Sequence, residues 1–504
     1  MIENLGSLFN GLASLMTLQN IAVCILGSVL GFVVGALPGL GCIAGVSLML
    51  PLAFSLNPVA GIAMLGSIYY ATMYGGAFSA ILLNIPGDAP AVMTSLDGYP
   101  MARKGRPGQA LFAAILSSCI GGIIGMVILT MFGPILAEWG LKFGPTEMAA
   151  LMLLALSSIG WLMGDDPVKG IISAMFGLLI GYIGLDIYGT PRYTFGVMHL
   201  LGGLPFAAVG IGLFGFSQVL GMIEQRGQEI KTEVDASHLT IKGSLPSKEE
   251  VKRILPPALR SSFLGTMIGI LPGAGATCSA FLCYAMQKFF HKKNREPMGS
   301  GAIEGVAASE AANNSACAGA FAPLLALGIP GSAVTAILLS ALQVWGLKPG
   351  PLLFTNSPDF AWSTIASLFL SNLLTLVVAI VAIPFIIKIL KVPVKFMIPC
   401  VTFICMIGAY SINNSMYGVW VMLISGLVGY ILNKYKFPTS PVLLAFVLST
   451  LFEENVRKAL ITSQGKIGIF FSRPISLVIL LILAVLLVVP MIKSIVRKAK
   501  APGK

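Results

Sequence analysis

"GFVVGALPGLG", Gly31 to Gly41, returns later in the chain as "GTMIGILPGAG", Gly265 to Gly275, and this pair decides how the rest is read. The two stretches share Gly31/Gly265, Gly35/Gly269, Leu37/Leu271, Pro38/Pro272, Gly39/Gly273 and Gly41/Gly275. A second pair follows each of them: "NIPGDAP" from Asn84 and "GIPGSAV" from Gly328. Further on, "IGWLMGDDPVKGIISAMFGLLIGY" from Ile159 matches "IGAYSINNSMYGVWVMLISGLVGY" from Ile407, with Gly170/Gly418, Leu179/Leu427, Gly181/Gly429 and Tyr182/Tyr430 in register. Matches recurring in the same order indicate a duplicated chain. The halves are residues 1–224 and 256–456, joined by a polar cytoplasmic linker over 225–255. An extra transmembrane helix and a basic cytoplasmic tail follow over 457–504.

Around these motifs the chain is apolar. Of its 504 residues 56% are hydrophobic and only 10% charged, and its mean hydropathy is +0.90, well outside the balance of soluble chains. Apolar runs able to cross a hydrocarbon core of about 30 Å recur from end to end. The expected class is therefore an all-α polytopic membrane protein with about 11 to 12 transmembrane helices. The segments flanking each P-G-x-G are short for independent spans, so each is read as a re-entrant hairpin broken by proline and glycine. Full crossings in the first half then fall near 59–83, 108–132, 146–162, 168–186 and 204–222. An odd number of crossings inverts the second half relative to the first.

Basic residues test this arrangement. No Lys or Arg precedes Arg103, so the N-terminus lacks the basic region of a secretory signal; the first apolar helix is expected to be retained and the N-terminus to be periplasmic. Counting on from there places Arg103, Lys104, Arg106, the linker cations, Lys288 to Arg295, Lys388, Lys391, Lys395, Lys434, Lys436 and the tail in the cytoplasm. Arg192, Lys348, Arg457, Lys458, Lys466 and Arg473 fall outside. The net charge of +12 is thus topology and does not imply a nucleic-acid partner. Eight cysteines lie in apolar runs with no C-x-x-C pair, which predicts buried thiols.

A break at membrane depth leaves backbone N–H and C=O groups unpaired unless they line a cavity. Four breaks imply one shared polar cavity. Helices restarting near Cys42, Ala89, Ala276 and Ala333 would point the positive ends of their dipoles into it, which suits an anion, since no Lys or Arg lies in these segments. Inverted repeats with discontinuous helices place a transport site in this way. Backbone contacts to substrate are expected from Pro38, Gly39, Gly41, Pro86, Gly87, Pro272, Gly273, Gly275, Pro330 and Gly331. Side-chain contacts are expected from Asn84, Asn313, Asn314 and Ser332. The competing reading is that the glycines only let helices pack closely.

In "AIEGVAASEAANNSACAGA", Glu310, Asn313 and Asn314 share one helix face. With Ser315 they form a candidate site for a coupling ion, Na⁺ or H⁺; the alternative is that Glu304 and Glu310 are solvated at the interface. Asp88 is a second coupling-ion candidate, or a helix cap. "DGYPMARKGRPG", Asp97 to Gly108, reads as a plain cytoplasmic loop, and Asn413 and Asn414 as an external turn. "GIGLFG", Gly210 to Gly215, is a packing motif rather than a nucleotide fingerprint. With no P-loop, no H-E-x-x-H and no G-x-S-x-G, neither ATP hydrolysis nor enzyme chemistry is indicated, and no cofactor or firm metal site is expected beyond the coupling ion.

"GALPGLG", "YGGAFSAILLNIPGDAPAVMTSLDGYPMARKG", "GILPGAG" and "GAIEGVAASEAANNSACAGAFAPLLALGIPGS" together resemble TctA, the large membrane subunit of the tripartite tricarboxylate transporters, over nearly the whole chain. The resemblance implies a bacterial inner-membrane permease working with a small TctB-like membrane subunit and a periplasmic TctC-like solute-binding protein. It implies import of carboxylates such as citrate by symport, driven by an ion gradient rather than ATP. Ala77 and Phe78 follow "YGG" where the family often has a polar or charged residue, and Ser309 replaces the proline of "PEAANN", so a dicarboxylate is as open as citrate. Alternating access would move the hairpins, elevator-like, against the later helices of each half. A passive anion channel, an exporter and, last, a membrane-embedded enzyme are the other readings.

Overall fold

The computed structural model describes residues 2–485, apart from 38–39, 163–165, 187, 225–233, 235–238, 293, 391–393 and 413. The first half contains α1 (Ile2–Leu15), α2 (Leu18–Ala36), α3 (Gly41–Phe54), α4 (Pro58–Leu83), α5 (Ala91–Arg103), α6 (Pro107–Gly140), α7 (Pro145–Leu162), α8 (Pro167–Gly181) and α9 (Phe206–Glu224). The second half contains α10 (Lys248–Ile270), α11 (Gly275–Phe290), α12 (Ile303–Leu327), α13 (Ala333–Val344), α14 (Pro358–Phe385), α15 (Val394–Ser411), α16 (Met416–Lys434) and α17 (Ser440–Thr462), followed by α18 (Pro474–Val485). Short helical turns link some of these. The only strands among the described residues are β1 (Gly184–Leu185) and β2 (Pro191–Arg192), an antiparallel pair. Among the described residues five helices, α2, α6, α9, α14 and α16, are long and apolar enough to cross a membrane. The molecule is an all-α multi-pass membrane protein.

Local chemistry sets the boundaries. Asn57 caps α4 and Asp166 caps α8, each with proline at the first helical position, where the missing N–H has no intrahelical partner to lose. Ser247 and Glu250 close a capping box on α10. Helices α4 and α12 both end in a left-handed residue, Asn84 at φ 56° and Gly328 at φ 71°, the conformation that turns a chain off a helix end. The expected first-half crossings coincide with α4 and α6 to α9 to within a few residues, although α6 continues as far as Gly140.

Close glycine contacts reveal the directions of the helices. Gly27, Gly31 and Gly35 of α2 face Met64, Ile68 and Thr72 of α4 in ascending order, so these helices run parallel. Helix α3 runs antiparallel to α4, with Cys42 Sγ directed at Tyr69 O and Gly61 against Ala53. The chain therefore reverses between α2 and α3. The second copy repeats this: Gly265 and Gly269 of α10 meet Ala312 and Ala316 of α12, whereas Ser279 and Tyr284 of α11 meet Ala312 and Gly305. The chain reverses within each copy, and the second P-G-x-G, Pro272 to Gly275, is the turn of its hairpin.

The same registers establish inversion. Helix α6 runs parallel to α12, Gly121 meeting Ala311 and Gly125 meeting Ser315. It runs antiparallel to α14, with Gly122 beside Asn372 and Gly133 beside Phe354, in the short turn just before α14 begins. Helix α14 is parallel to α4, Gly66 packing on Leu368 and Ser67 Oγ lying 2.7 Å from Ser371 Oγ. Hence α4 opposes its counterpart α12, and α6 opposes α14.

The core is built on α4 and α12, buried around nearly their whole circumference. Such helices pack through small residues because lipid supplies no hydrophobic drive for association. A Cβ at Gly121 would lie 2.2 Å from Ala311 O. Gly121→Leu is therefore expected to abolish monodisperse protein on size exclusion, while Gly221→Leu, where a Cβ meets nothing within 4 Å, leaves it unchanged. "GIGLFG" is also packing: it lies across a π turn, Ile211–Phe216, and a Cβ at Gly212 would come 2.4 Å from Met422 O. Six cysteines are buried as expected; Cys278 is half-buried and Cys400 exposed, on faces pointing away from the core.

Candidate functional site

The four breaks converge. One cavity of about 90 Å³ is lined by Cys42 and Ile43 of α3, Ala89 and Pro90 before α5, Gly275 to Thr277 of α11, and Ser332 to Val334 at α13. The starts of four helices thus face a common space, toward which their dipoles present positive potential. Several of the first N–H groups already have partners: Cys42 N–H binds Asp88, Ala91 N–H binds Asp88 O and Thr335 N–H binds Ser332 Oγ. A larger cavity of about 360 Å³ adjoins it, sharing Cys42, Ile43, Asp88 and Ala89, and reaches Gln218 of α9, Asn433 of α16 and Thr439. No lysine or arginine lines either cavity among the described residues.

The two halves present different chemistry to this space. Asp88 Oδ2 accepts from Cys42 N at 2.9 Å, and Oδ1 from Ala89 N at 2.8 Å. Asp88 is thus a cap, and the helix it caps most tellingly is α3, reached from across the break. Its counterpart Ser332 instead closes a capping box with Thr335 on α13 and lies 3.3 Å from the Tyr69 hydroxyl. The backbones correspond closely: Gly41 is at φ 64° and Gly275 at φ 57°, left-handed values that favour glycine. A Cβ on Gly41 would meet Asp88 Oδ1 at 3.6 Å, and one on Gly275 would meet Ser332 Cβ at 3.7 Å. One half carries a built-in carboxylate where the other carries a hydroxyl.

The remaining break residues divide. Pro38 and Gly39 lie outside the described residues. Pro86, Gly87 and Gly41 line the larger cavity. Gly273, at φ 82°, donates its N–H to Gly331 O at 3.0 Å, tying the second hairpin turn to the second IPG. Pro272 belongs to that same turn. Pro330 and Gly331 are buried, with Gly331 against Ala320. Asn84 is exposed at the end of α4 and lines neither cavity. Of the glycines shared by the repeated motif, Gly31, Gly35, Gly265 and Gly269 are packing positions, and Gly41 and Gly275 are turn positions.

Glu310, Asn313 and Asn314 form a separate buried cluster. Glu310 accepts from the Thr94 hydroxyl of α5, from Ser118 Oγ of α6 at 2.9 Å and from Asn313 Nδ2 at 3.3 Å. Ser315 does not join it: its hydroxyl donates to Ala312 O and packs on Gly265. The solvated alternative for the two glutamates is overturned, since Glu304 is 1% exposed and Glu310 0%. Glu304 is neutralised by Arg253 at 2.8 Å and Arg295 at 2.6 Å.

Asp97 does not lie in the plain loop expected for Asp97 to Gly108: α5 runs on to Arg103 and α6 begins at Pro107, which leaves only 104–106 between the helices. Asp97 is helical and wholly buried. It accepts from the N–H groups of Gly299, Gly301 and Ala302 at 2.8, 3.0 and 2.8 Å, and from the Tyr284 hydroxyl at 2.7 Å. Gly98 beside it lets α5 lie against Ile81. A lone aspartate after an apolar run was the available signal. Around it, Arg106 pairs with Glu250, and Arg253 reaches Glu296 at 2.6 Å. The opposite end of the molecule has its own ion cluster, Glu453 with Arg192 at 2.8 Å and Arg457 at 2.7 Å, and Asp186 with Arg457 at 3.2 Å. Asn414 lies there in an exposed left-handed turn, while Asn413 is outside the described residues.

Paired re-entrant hairpins in opposed orientation, with helix starts gathered round a cavity, define a membrane protein of the transporter class. The chain belongs to the tripartite tricarboxylate transporter TctA family, whose model matches residues 21–444. It is 36% identical over 496 residues, covering 98% of both chains, to the uncharacterized 52.8 kDa protein in the TAR-I ttuC' 3'region of Agrobacterium vitis. It is also 38% identical over 233 residues, covering 46% of this chain and 96% of the relative, to the uncharacterized protein in the TAR-II ttuC' 3'region of the same organism. No solved structure matches the chain.

Proposed function

We propose that the chain is the permease subunit of an uptake system that carries an organic di- or tricarboxylate across the bacterial inner membrane, driven by a Na⁺ or H⁺ gradient. Substrate arrives from a periplasmic TctC-like binding protein, and a TctB-like subunit completes the membrane complex. The observation carrying this reading is the cavity where four helix N-termini meet without a cationic side chain: it suits a carboxylate that must be held and then released. The Asp88 carboxylate on the α3 N-terminus indicates how such a ligand sits. The equivalent place in the second half, at Gly275 and Ala276 beside Ser332, is where a substrate carboxylate fits best.

The ion cluster around Arg106 and Arg253 is assigned to the cytoplasm and that around Arg192 and Arg457 to the periplasm. The larger cavity reaches Asn433 and Thr439 near the cytoplasmic end of α16, so this conformation is read as inward-facing. Helices α7 to α9 pack with α15 to α17, a grouping that suits a scaffold past which the hairpins and their partners move.

The test is uptake of labelled citrate, malate and tartrate into proteoliposomes holding the chain with both partners. Accumulation above equilibrium that requires an imposed Na⁺ or proton gradient is expected. Flux that only equilibrates, without gradient or binding protein, would make the protein a channel.

A further inference from the structure

Glu310 is a wholly buried carboxylate that makes no ion pair among the described residues. Glu304, on the same helix, has two arginines. Every neighbour of the Glu310 carboxylate is neutral: Thr94 from α5, Ser118 from α6 and Asn313 from α12. The titratable groups nearest it, Tyr74 of α4 and Cys317 of α12, supply no positive charge, and the Tyr74 hydroxyl is committed to Asn372 Oδ1 at 2.9 Å. A buried carboxylate left without a countercharge is strongly disfavoured. Hydroxyl and amide oxygens crowd the same place. Ser309 Oγ lies 3.0 Å from Thr94 Oγ1, and Asn314 Oδ1 is buried without a hydrogen-bond partner among the described residues, although its amide nitrogen is 2.5 Å from Asn313 Oδ1. One carboxylate with the hydroxyls of Thr94, Ser118 and Ser309 and the amide oxygens of Asn313 and Asn314 is ligand chemistry for a small hard cation. The Asn313 nitrogen that faces Glu310 would turn away to admit Na⁺.

We infer that Glu310 seats the single positive charge that travels with the substrate, a proton on its carboxyl or a Na⁺ among these oxygens. The inference rests on the transport reading. Thr94 supplies the link: it lies on α5, whose preceding residues Ala89 and Pro90 line the substrate cavity. Occupancy by the cation removes the penalty of holding α5 against α12, so loading at Glu310 and closure around the substrate favour each other.

The experiment uses the purified full chain as wild type, Glu310→Gln, Glu310→Asp and Thr94→Val. Unfolding temperature is measured in sodium and in choline chloride, and the infrared carboxyl band is recorded at neutral pH. If Na⁺ is the cation, sodium stabilises wild type, does nothing for Glu310→Gln, and binds about tenfold more weakly to Thr94→Val. If it is a proton, the wild type shows a protonated-carboxyl band in both salts that Glu310→Gln lacks. An ionised carboxylate indifferent to sodium overturns the inference whether or not transport is seen. In proteoliposomes, Glu310→Gln is expected to keep citrate counterflow while losing gradient-driven accumulation at least tenfold, with partial recovery in Glu310→Asp. Full accumulation by Glu310→Gln also overturns it and leaves the transport reading standing. Absence of any wild-type uptake refutes the transport reading, while the binding measurements still decide the cation site.

Discussion

Ser332→Asp is expected to depress carboxylate uptake roughly 100-fold while leaving the protein folded, because it would place in the second half the carboxylate that Asp88 supplies in the first. Asp88 and Ser332 occupy corresponding positions in "NIPGDAP" and "GIPGSAV", and Cys42, whose N–H binds Asp88 Oδ2 at 2.9 Å, corresponds to Ala276. An aspartate at 332 would reach the Ala276 N–H from the same direction. It would also keep capping α13, since aspartate caps as well as serine. A charge-assisted hydrogen bond contributes about 1.5–3 kcal/mol, which is the affinity a competing substrate would forfeit. Uptake of labelled citrate or malate should therefore collapse with an unchanged size-exclusion profile. Ser332→Ala, which brings no charge, should lose far less. Equal losses in the two variants would mean that the hydroxyl, and not the anion position at the Ala276 N–H, is what matters.

That contrast between the halves was visible in the sequence as a single substitution within a repeated motif, but its meaning was not. The paired proline-glycine motifs gave away the breaks and the hairpins, and the odd number of crossings between them gave the inversion. Proline alone would not have done so, since Pro134 lies inside α6 and Pro323 inside α12. The motifs gave no sign that Gly31 and Gly35 serve packing while Gly41 serves a turn: a glycine needed for close approach and one needed for positive φ look alike in one dimension. Glu310 stood out because an acid in an apolar helix is conspicuous. Its partners Thr94 and Ser118 did not, since each comes from another helix and is an ordinary residue there. Asn84 drew attention through its place in the motif, yet it ends a helix at the surface. Asp97 was hidden by its own neighbours, since "DGYP" has turn composition and the groups that hold the side chain lie some 200 residues on.

Asp97→Ala is expected to be the most damaging single side-chain truncation outside the transport cavity. The carboxylate joins α5 of the first half to the segment that leads into α12 of the second. Removing it strands the N–H groups of Gly299, Gly301 and Ala302 and the Tyr284 hydroxyl. Each buried group left unpaired costs about 1–3 kcal/mol, and water reaching the exposed end of the segment offsets part of this, so a loss on the order of 3–5 kcal/mol is expected. The observable is a lower unfolding temperature in detergent together with faster hydrogen exchange across residues 299–302. Asp97→Asn, which retains one acceptor oxygen, should fall between. Glu249→Ala, on the exposed first turn of α10, should change neither. Acid should weaken the same end of the molecule. The hydrogen bond from Arg253 holds Glu296 below the usual carboxylate range, so its contribution is fully present above about pH 4.3, the ordinary glutamate value, and is lost as pH falls through the lowered one. Arg253→Ala removes that hydrogen bond and, with it, one of the two guanidinium partners of buried Glu304. It should flatten the acid dependence of unfolding and lower stability at neutral pH. If exchange at 299–302 stays at the wild-type rate in Asp97→Ala, the two halves are held together at this end by the ion pairs and not by the buried aspartate.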